Sequence, residues 1–422
     1  MGHSITGIIA EYNPFHNGHL YLIDYAKSKL NSDYIIVVMS GNFTQRGTPA
    51  ICDKYVRAKA ALSCGADLVL QLPNIVATSG ARIFATGAVA ALHRTGLITD
   101  LVFGAETANI TMFNKVATSL FYEDEAFQNI LKDELKNGAS YSKAVSSAMT
   151  HLTGDSRYSE FLSTPNNLLG VEYCRALKET RAFMRPHCIV RSGAGHRDAD
   201  ASGSFASSSA IRNLFRKDQL ESTSLLMPDI SYRLLLEEAR QNRLVWPEDL
   251  SLPIHMALFG KKSFARYLDC GEDLSNRILN NRNQYAGYSE FIERLSSKNM
   301  IKSRISRVLL HILLEDTTEN LHELAPSHYA PYLHVIGMTE HGRSLLSQIN
   351  EKKLNLPLFL SPQEILGKNG IGKIVRQSIR KDLHADEIYH AIQTKKCRQP
   401  LPSDLTRKIE VEQINDGTAG FR

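Results

Sequence analysis

The arrangement of short apolar runs in the first 190 residues limits this chain to very few folds. Ile5–Ala10, Tyr34–Met39, Leu68–Leu72 and Asp100–Phe103 are each strand-sized, and Cys188–Arg191 adds a fifth run of β type. Between them lie stretches with helical spacing. Gly18 to Leu30 carries Leu20, Leu22, Ile23, Ala26 and Leu30 on one side, Lys54–Cys64 places alanines on one side, and Arg82–His93 is alanine-rich. Pro73, Gly96 and Gly104 stop these elements. Strand–helix repeats with short loops predict a parallel sheet covered on both faces. Ligands of such sheets sit outside the carboxyl ends of the strands, here the loops at 10–18, 39–53, 71–81 and 103–107.

From about 110 to 162 the pattern turns helical and more polar, which predicts a helical insertion. Ser192–Ser209 is a Gly/Ser/Asp-rich loop that runs into a helix at Ala210–Arg216. Beyond Pro228 the chain reads as mainly helical. These features predict an α/β domain over residues 1–216 and a mainly helical domain over 217–422. Of the 422 residues, 43% are hydrophobic and 22% charged, enough apolar content for each part to bury its own core. No apolar run approaches the roughly 20 residues of a spanning helix, and no secretory leader is readable. The six cysteines are scattered without a C-x-x-C, as in a reducing compartment. The expectation is a cytoplasmic protein without membrane contact.

The most specific motif is Glu11-Tyr-Asn-Pro-Phe-His16-Asn-Gly18-His19, between the first strand and the first helix. Its core is H-x-G-H. Gly18 lacks a Cβ, so a nucleotide could lie against the backbone. A helix N-terminus favours phosphate, and two imidazoles can donate to phosphate oxygens as charge builds on them. Taken alone, a four-residue match also arises by chance. Its position at the first strand-to-helix turn points to nucleotidyl transfer, with His16 and His19 as the catalytic pair.

The motif resembles the HIGH-type nucleotidyltransferases, whose fold is a Rossmann-like parallel sheet. The longer stretches GIIAEYNPFHNGHLYLI, MSGNFTQRGTPAICDKYVRA, GADLVLQLP, FATGAV, FGAE, TPNNLLGVEY, VRSGAGH and SSSAIR are similar to the bacterial tRNA(Met) cytidine acetate ligase family. SRISRVLLHILL and YLHVIGMTEHGRSLL resemble its C-terminal helical region more loosely. The resemblance implies that acetate attacks the α-phosphate of ATP, with Mg²⁺ travelling on the phosphates. The acetyl group then passes to N4 of the wobble cytidine of elongator tRNA(Met), and no DNA is expected as a partner. It implies ATP contacts along Gly7, Ile8, Ile9, Ala10, Glu11, Tyr12, Asn13, Pro14, Phe15, His16, Asn17, Gly18, His19 and Leu20. Gly104, Asn166, Asn167 and Arg191 complete that set around adenine, ribose or phosphate. Two positions depart from the family pattern: Gln71 stands where Glu is usual, and Ala105 where Ser is usual.

Arg46, Lys54, Arg57, Ser208 and Arg212 are candidates for contacts to ATP or tRNA phosphates. Lys54 and Arg57 also fit a solvated helix face, Asp53 a helix cap, and the serines an ordinary N-cap. The net charge of +5 is mild, but the excess is uneven. Arg282, Arg294, Lys298, Lys302, Arg304 and Arg307 face only Glu290 and Glu293 between 281 and 311. Lys302, Arg304 and Arg307, together with the segment Lys373–Lys381, are therefore expected to grip tRNA phosphates. Gly367-Lys-Asn-Gly-Ile-Gly372-Lys373 imitates a phosphate-binding loop, but Ile374 occupies the position of the Mg²⁺-holding hydroxyl. The 15 histidines, including His187/His196 and His384/His390, show no metal-binding spacing, so no protein-held metal is expected. Two other readings remain on the residues alone: a nucleotidyltransferase for a small phosphate metabolite, and a tRNA-binding protein without catalysis.

Overall fold

The structure, a computed structural model, describes residues 3–122, 124–137, 141–191, 205–297, 300–352, 356–407, 409 and 411–413. The Ser192–Ser204 part of the expected loop, with His196, lies outside the described residues, as does Lys298. The strands are β1 (Ile5–Ala10), β2 (Tyr34–Ser40), β3 (Leu68–Leu72), β4 (Asp100–Ala105), β5 (Arg185–Val190), β6 (Leu333–Thr339), β7 (Leu358–Phe359) and β8 (Val411–Glu412). They form one sheet in the order β5-β4-β1-β2-β3-β6-β7, with β8 paired to β6. All pairings are parallel except β3 with β6. This is the doubly covered parallel sheet that the apolar runs predict, and β2 is buried along its whole length.

The faces are covered by different helices. Helix α1 (Asn17–Lys29) and helix α2 (Lys54–Ser63) bury Ile23, Ala26, Ala58, Ala61 and Leu62 against Ile8, Ile35, Val37 and Met39. On the opposite face Phe84, Ala88 and Leu92 of the helix Ala81–His93 pack with Val171 and Leu177 of the helix Pro165–Glu179. The region expected as a helical insertion is three helices, Ile110–Tyr122, Glu125–Lys136 and Tyr141–Thr153, followed by a short one, Arg157–Phe161.

The second half is mainly helical, as expected, and it also adds β6, β7 and β8 to the N-terminal sheet. Leu333–Thr339 is a fully buried strand within the N-terminal sheet. A run buried on both faces shows no alternation, so a short one cannot be told from a helical segment by periodicity. The remaining C-terminal helices build their own core from Ile254, Phe264, Phe291, Val308 and Tyr389, and Phe43 from the loop after β2 joins it. The two halves therefore share one sheet and, through Phe43, a core.

Burial of charge ties them further. Lys54 opens α2 and is fully buried, its ammonium hydrogen-bonded to Asp386 and 2.9 Å from Asp404. Asp386 lies on the helix Lys373–Cys397. Burial disfavours the Lys54 charge, but the two carboxylates outweigh it and hold the amine protonated. Next to it Asp53, which caps α2, accepts from His390 at 2.8 Å on the same C-terminal helix. Lys54→Ala leaves two buried carboxylates facing no ammonium. A loss of about 3–5 kcal/mol in unfolding free energy is expected, read from the denaturant midpoint. A midpoint within error of wild type would show that the pair is not holding the halves together.

Candidate active site

The site is built at the carboxyl end of β1. Asn13 Oδ1 accepts the Ile51 amide at 2.8 Å and Glu11 Oε1 the Gln45 amide at 2.7 Å, so the 11–16 loop is fastened to the loop after β2. The buried rings of Tyr12 and Phe15 anchor it from below. His16 is the N-cap of α1 in extended backbone, and it forms a capping box with His19. The Gly18 amide donates to His16 Nδ1 at 3.1 Å, and the His16 amide donates to His19 Nδ1 at 3.2 Å.

Those two bonds assign the tautomers. An Nδ1 that accepts from an amide carries no proton, so both neutral rings hold theirs on Nε2. The rings are stacked, 3.7 Å between centroids. Burial and the nearby Arg191 charge lower the His16 pKa to about 3. Burial, His16 and Arg191 hold His19 well below the ordinary imidazole value. The pair is neutral at pH 7, and His16 Nε2 is buried without a partner among the described residues.

His16 lines a cavity of about 160 Å³ together with Gly18, His19, Gly104, Asn166 and Arg191, with Phe205 to Ser207 along one side. A Cβ on Gly18 would lie 3.0 Å from His16 Cε1, so this glycine makes room for the His16 ring. A Cβ on Gly104 would lie 3.0 Å from Arg191 Cγ, so Gly104 lets Arg191 cross β4 into the cavity. Arg191 Nη1 donates to Asn166 Oδ1 at 3.3 Å, and Asn166 Nδ2 donates to Glu106 Oε1 at 2.7 Å. Glu106 Oε2 accepts the Asn167 amide, while Asn167 Oδ1 accepts the amides of Glu106 and Thr107. Glu106 is thus the organiser of this wall, and sequence reasoning missed it. The only signal was its place in F-G-A-E, two residues beyond Gly104.

The remaining expected residues divide into groups. Ser208 opens the helix Ser208–Arg216, and its Oγ donates to the Pro14 carbonyl at 3.4 Å. Arg212 donates to the Asn13 carbonyl, and both Glu11 and Arg46 lie within its electrostatic reach. Arg46 is exposed. The site therefore brings Arg46, Ser208 and Arg212 to the rim of the His loop. Asn17 Nδ2 donates to the Leu225 carbonyl, and Leu20 packs at the edge of the core under α1. Gly7, Ile8 and Ile9 are scaffold, with Gly7 pressed on Leu92 and both isoleucines buried. Ala10 ends β1.

Two expected phosphate contacts are corrected. Lys54, fully buried, is committed to Asp386 and Asp404. Arg57, 1% exposed, donates to the carbonyls of Cys52, Glu11, Ser40 and Gly41, stitching the ends of β1 and β2 together. The residues expected to grip tRNA, Lys302, Arg304 and Arg307, each have a partner within the protein, and Lys302 remains exposed. Lys302 pairs with Glu293, Arg304 donates to the Asp269 carbonyl, and Arg307 pairs with the Asp269 carboxylate at 2.7 Å. Those cations are already neutralised or engaged. Gln71 is buried with neither amide atom partnered among the described residues, and Ala105 is buried in β4, its carbonyl accepting the Arg191 amide. Among the described residues no three His, Cys, Asp or Glu side chains gather as metal ligands, and no helix is long and apolar enough to cross a membrane.

A profile of the HIGH Nucleotidyl Transferase family matches residues 3–404. The tRNA(Met) cytidine acetate ligase of Kosmotoga olearia is 35% identical over 409 residues, covering 93% of this chain and 92% of its own. That of Fervidobacterium nodosum is 34% identical over 96% and 98%. Among solved structures, Thermotoga maritima TmcAL bound with alpha-thio ATP superposes with a TM-score of 0.89 at 32% identity, covering 97% of this chain and 100% of that one.

Neutral buried imidazoles make a prediction about protonation. With His16 lowered to about 3 when folded and near 6.5 when unfolded, its contribution to stability is full above about pH 6.5. It is lost as pH falls from there towards 3. In NMR titrations of the unliganded protein the His16 ring signals stay constant from pH 8 to about 5. An inflection near 6.5 that disappears in His16→Asn would contradict the neutral-pair geometry.

Proposed function

The chain belongs to the HIGH nucleotidyltransferase family and to its tRNA(Met) cytidine acetate ligase branch, and from that premise we propose how its own residues carry out the ligase reaction. Acetate oxygen attacks the α-phosphorus of ATP and pyrophosphate leaves, giving acetyladenylate. N4 of the wobble cytidine of elongator tRNA(Met) then attacks the acyl carbon, loses a proton, and expels AMP. The observation that carries the assignment is the unpartnered Nε2 of His16, which lines the cavity with His19, Asn166 and Arg191.

Each part has a chemical task. The Nε2–H groups of His16 and His19 donate to phosphate oxygens as negative charge develops during attack. Because the rings are neutral, desolvated and locked by the Gly18 and His16 amides, they need no reorganisation at that moment. Arg191 supplies the fixed positive charge, held by Asn166 and ultimately by Glu106. Arg46 and Arg212, beside Glu11 at the rim, are placed for the departing pyrophosphate, with Ser208 at the start of its helix. Mg²⁺ carried on the ATP phosphates would add charge neutralisation to that of Arg191, Arg46 and Arg212. A binding protein without catalysis would not require two buried donors at such a cavity.

The test is nucleoside analysis of elongator tRNA(Met) after incubation with the protein, ATP and labelled acetate. N4-acetylcytidine forms only when both ATP and acetate are present, and acetyl-CoA does not replace them. His16→Asn keeps a side-chain oxygen as the α1 cap but removes the Nε2–H. It folds normally and loses about 10²–10³-fold in acetate-dependent ATP–pyrophosphate exchange. Acetylation from acetyl-CoA without ATP, or exchange by the variant within about threefold of wild type, would overturn this reading.

A further inference from the structure

A second concave surface lies away from the catalytic cavity. A groove of about 620 Å³ opens between the C-terminal end of the helix Lys302–Leu314 and the first turns of the helix Lys373–Cys397. Its walls carry Lys373, Arg376, Arg380, Lys381 and His384, with Glu315 as the one acid among the lining residues. The spacing 373, 376, 377, 380, 381, 384 is a single helical face, so the charges are stacked in a row along the groove.

The cations differ in what they do. Arg376 donates to the carbonyls of Leu366, Lys368 and Ile371, fixing the glycine-rich loop that precedes the helix. Lys381 donates to the Leu314 and Glu315 carbonyls and lies 3.4 Å from buried Asp316, closing the groove floor. Glu315 is drawn towards Lys261, at 3.6 Å. Lys373 and Arg380 are exposed and have no polar partner among the described residues. Two cations thus build the groove and two are left for something else. This contrasts with Lys302, Arg304 and Arg307, each already engaged.

Position relative to the chemistry completes the argument. The same continuous helix reaches Asp386 and His390, whose bonds to Lys54 and Asp53 fix it to the loop after β2 and so to the His loop. At 1.5 Å per residue, Arg380 lies about 9 Å of helix from Asp386, and Lys373 about 26 Å from His390. A polyanion lying in the groove is therefore held on a helix that is fastened, through the loop after β2, to the His loop. We infer that this groove, through Lys373 and Arg380, binds the phosphodiester backbone of the tRNA substrate. The inference rests on the ligase reading above. Contacts of this kind position the RNA without reading sequence, which leaves recognition of the cytidine to the catalytic end.

The experiment measures tRNA(Met) affinity of the full chain against salt for wild type, Lys373→Glu/Arg380→Glu and Lys302→Glu. The double variant is expected to bind at least about tenfold more weakly at low salt, and its log–log salt slope to shrink by about 1–2. Lys302→Glu is expected to behave as wild type. Acetate-dependent ATP–pyrophosphate exchange serves as the folding control and is unchanged in the double variant. Equal affinity and slope for wild type and double variant overturn the groove assignment while leaving the ligase reading intact. A wild-type protein that neither binds nor acetylates tRNA overturns the ligase reading itself. Equal weakening by a control polyanion, heparin, in competition with the groove supports the electrostatic contact, whereas Lys302→Glu weakening tRNA as much as the double variant overturns it.

Discussion

A single buried ammonium sets much of this architecture. Lys54 opens α2 with no water to solvate it, and a charge in that position persists only against opposite charge. Its partners, Asp386 and Asp404, lie more than 330 residues later in the chain. Satisfying them draws the C-terminal helix across the loop after β2. That loop then fixes the catalytic turn through the Ile51–Asn13 and Gln45–Glu11 bonds, while Arg57 caps the strand ends above it. The geometry of the histidines thus depends on residues at the opposite end of the sequence.

In the mechanism proposed for the site, the protein supplies donors rather than acid or base. Two imidazoles stacked 3.7 Å apart could not both be charged at reasonable cost, and burial removes the charge altogether. What remains is a pair of oriented N–H groups in a medium where each is worth more than in water. The positive charge comes instead from Arg191, a side chain whose ionisation does not change with pH in the working range. Separating orientation from charge in this way keeps the donors ready across the physiological pH range.

The sheet and the His turn were legible because they are local: apolar runs of fixed length, a helix start and a glycine between two imidazoles announce themselves within a few residues. β1 and β3 fall on the expected bounds, and β5 begins three residues earlier than Cys188, at Arg185. What escaped depends on distant partners. Lys54 and Arg57 look like an exposed basic face because i, i+3 spacing on a short helix does not disclose what packs above it. Arg304 and Arg307 look free because Asp269, which engages both, is 35 and 38 residues away. Leu333–Thr339 was hidden by burial on both faces, and Glu106 by being an acid whose work is to hold amides and an asparagine rather than to touch a ligand.

The central claim is that acetate oxygen bonds to the α-phosphorus of ATP before the acetyl group reaches tRNA. Its most direct test supplies acetate labelled with ¹⁸O in both carboxyl positions, together with ATP and elongator tRNA(Met), and locates the label by mass spectrometry of the phosphate products. Attack on the α-phosphate followed by acyl transfer leaves one ¹⁸O in AMP and none in pyrophosphate. Label appearing in inorganic phosphate with ADP as the nucleotide product, or AMP free of label, would place the bond-making step elsewhere and contradict the account.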